Sequence, residues 1–192
     1  MRKVNLALAN NIEAEKQAEL IRIRNKPEIR KWMYTEHVIS LKEHSAWIQS
    51  LKDDSSRIAF AIFESGEVIG AFNIYNINCV HKTCEWGWFI DPAKSGGGLG
   101  SAIEFNLIDF IFNDLNMVKQ TVEVLEENIP VINLHKKFFF TEEGYRNSHI
   151  FKEGKRTGYY EFGLLSSDWK IQRESLKHKF KNFKIEINLN NK

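Results

Sequence analysis

Asp91-Pro92-Ala93-Lys94-Ser95-Gly96-Gly97-Gly98-Leu99-Gly100-Ser101-Ala102 is the stretch on which the fold turns. Before it, Thr83–Ile90 has the alternating, aromatic-rich pattern of a strand. After it, an apolar stripe at helical spacing predicts a long helix from Leu99 to Asp114. A strand, a glycine turn and a long helix make an anion-binding arrangement. The first turn of a helix has amides without intrahelical partners and carries partial positive charge. Glycines reach positive φ and let a phosphate approach the backbone closely. Lys94 adds a charge beside them. The turn is not a Walker loop, because Gly100 is followed by Ser101-Ala102 rather than Lys-Ser/Thr. It is also a poor dinucleotide fingerprint, since the final glycine is missing and the preceding strands look like hairpins.

Upstream, Arg57–Phe63 and Val68–Ile77 flank Glu64-Ser65-Gly66-Glu67, a hairpin signature. Val4–Leu8 alternates and opens the sheet. Ile12–Arg24 favours helix, and Pro27 stops it or starts a short helix over Glu28–Met33. Ser40 followed by Glu43 is a capping box for a helix carrying His44, Trp47, Ile48 and Leu51. Downstream, Thr121–Leu125 reads as a strand, and Asn128-Ile129-Pro130 opens a helix ending near Lys137 with Asn128 as N-cap. Strands near Tyr145–Lys152 and Arg156–Leu165 follow, and Ser167-Asp168 caps a last helix to about Lys179. The order predicts one mixed α/β domain.

The 192 residues are enough for one full core, and 43% hydrophobic with 27% charged is ordinary for a globular chain. A formal charge of +2 gives no basic surface of the kind nucleic acid demands. The two cysteines, Cys79 and Cys84, fit a reduced compartment. With no signal-like N-terminus and no apolar run of membrane-spanning length, a cytoplasmic location is expected. Nucleic-acid, membrane and metal partners are not expected.

The turn and its surroundings resemble the GNAT family of acetyltransferases. That family's turn, Arg/Gln-x-x-Gly-x-Gly/Ala, binds the pyrophosphate of acetyl-CoA through backbone amides. Gly98-Leu99-Gly100-Ser101-Ala102 matches its core, while Ser95 replaces the Arg/Gln. The resemblance implies a GNAT fold, with a mostly antiparallel central sheet splayed at the cofactor slot and flanked by helices. It implies acetyl-CoA as co-substrate, held by Ser95, Gly96, Gly97, Gly98, Leu99, Gly100, Ser101 and Asn128. Where the family places the tyrosine that protonates the departing thiolate, this chain has His135, a residue able to donate a proton near neutral pH. Phe138–Phe140 with Glu143-Gly144-Tyr145 resembles the family's ending. The likeness reaches about Trp169, so 1–169 is expected to form the acetyltransferase domain and 170–192 a basic helix or tail.

Arg24-Asn25-Lys26-Pro27, then Trp32-Met33-Tyr34 and His44, resemble the subgroup that acetylates a UDP-linked 4-amino-4,6-dideoxy-N-acetyl-altrosamine in pseudaminic acid biosynthesis, which serves flagellin glycosylation. By that resemblance Arg24 and His44 contact the diphosphate, while Met33, Tyr34 and Trp47 wall the sugar. Tyr75, Asn76 and Phe89 are lesser candidates. Glu85 or Glu123 accepts the amine proton, and Glu85 also helps to seat the acceptor. A homodimer is compatible with this reading.

Each residue also has a plain structural role open to it. Arg24 could end its helix, Trp32-Met33-Tyr34 could be core, and His44 and His135 could be solvated helix residues. Glu85 could face a cross-strand lysine, and Glu123 could be structurally paired. Two other classes share the glycine turn: a protein N-terminal acetyltransferase of the ribosomal type, and a non-catalytic acyl-CoA sensor.

Overall fold

A computed structural model describes residues 1–189. The elements are β1 (Arg2–Leu8), α1 (Ala14–Arg24), α2 (Pro27–Arg30), α3 (Leu41–Ser50), β2 (Ile58–Glu64), β3 (Glu67–Asn78), β4 (Thr83–Ile90), α4 (Leu99–Asn113), β5 (Lys119–Leu125), α5 (Ile129–Lys137), β6 (Thr141–Lys152), β7 (Lys155–Leu165), α6 (Ser166–Lys177) and β8 (Phe183–Asn188). The strands form one sheet in the order β6-β7-β5-β4-β3-β2-β1-β8.

Local chemistry sets these boundaries. Ser65 and Gly66, at φ 51° and 81°, close the β2–β3 hairpin with the double positive φ that suits the sheet's twist; Glu153 and Gly154 do the same between β6 and β7. The capping box at α3 forms as expected. The Glu43 amide donates to Ser40 Oγ at 3.2 Å, and the Ser40 amide donates back to Glu43 Oε2 at 2.7 Å. Asn128 occupies the N-cap of α5 but makes no capping hydrogen bond with its side chain, so that expectation is corrected.

One face of the sheet is covered by α4 and α6. Trp86, Phe60, Phe72, Leu99, Ile103 and Trp169, each at most 1% exposed, form the main core there. On the other face Leu20 and Ile23 of α1 and Ile29 of α2 pack on Ala61, Val68 and Ala71, while Ile48 of α3 packs on Ala59.

The basic end of the chain is not an appendage. The boundary expected at 169 falls inside α6, whose Trp169 is in the core. Beyond a short turn, β8 pairs in parallel with β1 from Arg2–Phe183 to Ala7–Asn188. Its apolar residues, Phe183, Ile185 and Ile187, pack on the main core, while Lys184, Glu186 and Asn188 are exposed. Lys192, part of the same basic run, lies outside the described residues.

One feature of the sheet places the site. β4 and β5 are parallel neighbours, yet they pair only over Thr83–Lys119, Cys84–Gln120 and Glu85–Thr121. Both strands continue, β4 to Ile90 and β5 to Leu125, without pairing with each other. They splay apart after Glu85, as expected, and the slot opens toward the glycine turn at the end of β4.

Candidate active site

Gly96, Gly97 and Gly98 have φ of 118°, 59° and 83°, conformations that a side chain strains. This path turns the amides of Gly96, Gly97, Gly98, Gly100 and Ser101 away from any backbone partner among the described residues. Ser95 and Leu99, both expected as contacts, hold the scaffold instead. The Ser95 hydroxyl donates to Pro92 O at 2.7 Å. The Leu99 amide donates to Gly96 O at 3.1 Å, and its side chain is fully buried.

Lys94 is not the free cation the sequence suggested, because its ammonium pairs with Glu67 at 2.6 Å. The turn is held instead by Arg2, from the start of β1. Its guanidinium pairs with Glu64 and donates to Gly96 O at 3.0 Å and Lys94 O at 2.9 Å. Lys137 of α5 reaches Ser101 Oγ at 3.1 Å and brings a second cation to the first turn of α4. Neither Arg2 nor Lys137 carries a local sequence signal, since each reaches the turn only through the fold.

His135 is buried rather than solvated, with 5% of its side chain exposed. Its ring meets Trp86 edge-on, with centroids 5.9 Å apart, and packs on Phe140 at 5.1 Å. Trp86 is the first β4 residue beyond the last β4–β5 pair, so His135 stands where the slot opens. His135 Nδ1 lies 2.7 Å from Oε1 of Glu104, whose Oε2 accepts from Trp88 Nε1 at 2.7 Å. Asn128, 8% exposed, begins α5 beside the slot, and its side-chain amide has no hydrogen-bond partner among the described residues.

The opposite face of the sheet gathers acids and phenols. Cross-strand register puts Tyr75, Glu85 and Thr121 side by side, with Glu123 two residues along β5 and opposite Glu161. Glu85 is half-buried, with no hydrogen-bond or ion-pair partner among the described residues, so the alternative of a cross-strand lysine pair is not formed there. Glu123 is exposed, and its Oε2 accepts from the Tyr34 hydroxyl at 2.7 Å. Burial, then the Glu123 carboxylate, pushes the Tyr34 phenol up, and burial, then Glu85 and Glu123, does the same to Tyr75. Asn76 sits exposed at φ 52° where the β3–β4 register shifts.

The Arg24–His44 segment lies on this same side. Asn25 bridges to Ile39, donating to its carbonyl at 2.8 Å and accepting from its amide at 2.9 Å. Lys26 pairs with Asp91 at 2.6 Å, and Lys152 caps α2 through the carbonyls of Arg30, Lys31 and Met33. Met33 and Phe89 pack on one small cluster, and the Trp47 ring lies 5.6 Å from that of His44. Arg24 Nη1 and His44 Nε2 are sealed from solvent with no hydrogen-bond partner among the described residues. Burial lowers the pKa of both, with Arg30 adding to the effect on Arg24. His44 is therefore not a surface histidine, nor is Arg24 Nη1 spent on its own helix end.

A model of the acetyltransferase (GNAT) domain matches residues 9–141. The chain belongs to the GNAT acetyltransferase family. It is 29% identical over 147 residues to acetyltransferase PseH of Campylobacter jejuni, covering 77% of this chain and 84% of that one. It is 26% identical over 144 residues to spermidine N(1)-acetyltransferase of Escherichia coli, covering 75% and 77%. Spermidine N-acetyltransferase from Vibrio cholerae in complex with CoA and spermine has the same fold, with a TM-score of 0.80 at 21% identity over 87% of this chain and 98% of that one.

This GNAT acetyltransferase is accordingly an enzyme that uses acetyl-CoA. Its residues fit that co-substrate. Unpaired amides at the head of α4 suit a pyrophosphate, and the unpaired edges of β4 and β5 offer hydrogen bonds to an extended amide-bearing arm. Among the described residues no group of three His, Cys, Asp or Glu side chains is placed to hold a metal ion, and no helix is long and apolar enough to cross a membrane. The chemistry within reach is acyl transfer from a thioester to an amine, with carboxylates on the acceptor face and an imidazole at the slot.

Proposed function

We propose that this acetyltransferase moves the acetyl group of acetyl-CoA to the 4-amino group of a UDP-linked 4-amino-4,6-dideoxy-N-acetyl-altrosamine, a step of pseudaminic acid biosynthesis. The observation that carries this reading is the pair of sealed, unpartnered nitrogens on Arg24 and His44. A buried polar or cationic group without a partner costs free energy, and a diphosphate repays it through charge-assisted bonds. Likeness to PseH of C. jejuni supports the same acceptor.

In this reading Arg24 and His44 hold the diphosphate. Met33, Tyr34 and Trp47 wall the deoxy sugar. The amides of Gly96, Gly97, Gly98, Gly100 and Ser101 hold the pyrophosphate of acetyl-CoA, and Asn128 its arm. Glu85, without a partner among the described residues, takes the amine proton directly or through water, with Glu123 as the other carboxylate within the cluster. His135 returns a proton to the leaving thiolate. The setting is cytoplasmic, and a homodimer is compatible with it.

One further reading has an observation of its own. Glu85, Glu123 and Glu161 share one face, a charge pattern that also suits a polyamine such as spermidine. The test is thiol release from acetyl-CoA with three acceptors: the UDP-4-amino sugar, spermidine and an N-terminal peptide. Release with the sugar, and not with the others, is the expected result. Preference for spermidine or the peptide overturns the sugar assignment. Acetyl-CoA binding without release for any acceptor favours a sensor.

A further inference from the structure

Glu104 lies in the apolar stripe of α4 and has no exposed surface at all. A carboxyl group so placed needs a reason, because burial away from water is costly unless both oxygens are engaged. Both are. Trp88 Nε1, a donor only, gives its hydrogen to Oε2, and His135 Nδ1 sits on Oε1, each at 2.7 Å. One carboxylate thus joins β4, α4 and α5, the three elements that frame the slot.

We propose that Glu104 is the positioning residue for His135, resting on the reading above in which His135 protonates the thiolate. An ionised Glu104 obliges Nδ1 to carry its hydrogen. The only ring nitrogen left to exchange a proton with the slot is then Nε2. The imidazolium is the form that has an Nε2–H to give. As the carbon–sulfur bond breaks and its electron pair leaves on sulfur, His135 passes the Nε2 proton to that sulfur. The proton released from the amine as the carbon–nitrogen bond forms replaces it through solvent. The Nδ1–H···Oε1 bond is kept throughout, so the ring does not turn. A tyrosine acid carries its proton on the hydroxyl and has no need of a buried carboxylate, and pairing Glu104 with a histidine is the compensation this chain makes.

The other groups around the ring do not take this role. Trp86, Phe140 and Phe162 pack on it and do not titrate in the working range. On α5, the ammonium of Lys136 points to Glu142 and that of Lys137 to Ser101. On α4, Asp109 is bound to Arg173 and Trp169 of α6. On β4, burial pushes the Cys84 thiol up to about 12, and on β5 the core-facing Gln120 is uncharged.

The experiment is Glu104→Gln, which keeps the shape and removes the charge. The amide of the variant has one oxygen for two donors, so the 15N signals of the His135 ring, read on the protein alone, should show the hydrogen held on Nδ1 in the wild type and no longer fixed there in the variant. The maximal kcat should drop by about 100-fold, the scale of one general acid, with the KM for acetyl-CoA within about threefold. In the His135→Tyr background the same change should cost less than about threefold.

An unchanged His135 tautomer overturns the proposal, whatever the acceptor proves to be. So does an equal loss in the His135→Tyr background, which would make Glu104 a strut for the slot. If His135→Phe leaves kcat intact, the acid reading itself fails, and the 15N signals of the ring still show whether Glu104 sets its tautomer.

Discussion

Arg2 and Gly96 are 94 residues apart in the chain, and the guanidinium Nη1 of one donates to the carbonyl oxygen of the other at 3.0 Å. The same side chain donates to Lys94 O. Arg2 thus ties two carbonyls of the turn to β1, while the amides of Gly96, Gly97 and Gly98 have no backbone partner among the described residues. In the proposed function it braces the pyrophosphate cradle from outside, in a chain that has Ser95 where the family's motif has Arg or Gln.

Arg2→Ala should therefore raise the KM for acetyl-CoA about fivefold, the worth of one net hydrogen bond of about 1 kcal/mol, and leave kcat at saturation unchanged. Steady-state kinetics with acetyl-CoA varied at fixed acceptor checks it. A fall in kcat at constant KM would show that the turn holds its shape without Arg2.

Arg24 should trade stability for binding. Its Nη1 is sealed and unpartnered, a cost carried by the free protein. Arg24→Met should raise stability by about 1 kcal/mol, a modest figure because the guanidinium as a whole keeps some contact with water. In the wild type, UDP at 100 times its Kd should add about 2.7 kcal/mol, and in the variant that addition should nearly vanish. Thermal melts with and without UDP measure both. Equal UDP shifts in the two proteins would remove Arg24 from the diphosphate site.

The glycine turn is legible in the sequence because its function is local. Consecutive glycines at positive φ between a strand and a helix announce themselves. The capping box at Ser40 and the two hairpin turns are legible for the same reason. Arg2, Lys137 and Glu104 are not, because each works on residues far along the chain. Glu104 in particular looks like an ordinary helix carboxylate until α4 is packed and its oxygens meet Trp88 and His135. β8 is hidden by composition: alternating Lys, Glu and Asn read as a solvated tail until parallel pairing with β1 gives Phe183, Ile185 and Ile187 a face to bury.

The two candidate bases should be unequal. Glu85 has no partner among the described residues, while Oε2 of Glu123 is engaged by the Tyr34 phenol. An oxygen already occupied by a hydroxyl hydrogen is not open to the amine's proton. Glu85→Gln should lower kcat about 100-fold, and Glu123→Gln less than about tenfold, with the latter acting more on the KM of the acceptor. The opposite ranking would move proton acceptance to Glu123.

Acid should loosen the acceptor side of the site before it unfolds the domain. The Ser40 amide, then the Ser40 hydroxyl and His37, hold the Glu43 carboxyl at about 2, against an ordinary 4.5. A carboxylate depressed by folding contributes stability that is complete above its unfolded value and is lost as pH falls through the folded one. The window therefore runs from about 4.5 down to about 2. The capping box fixes the first turn of α3, and α3 carries His44 and Trp47, which the proposed function places at the acceptor. Hydrogen-exchange protection of the Glu43 and His44 amides, which donate to Ser40 Oγ and Ser40 O, should fall across that window. In Glu43→Gln the protection should be lower at neutral pH and nearly flat with acid. Flat protection in the wild type would mean that the Glu43 carboxylate does not bear on the cap in solution, and the pH dependence of acceptor binding would then have to come from His44 itself.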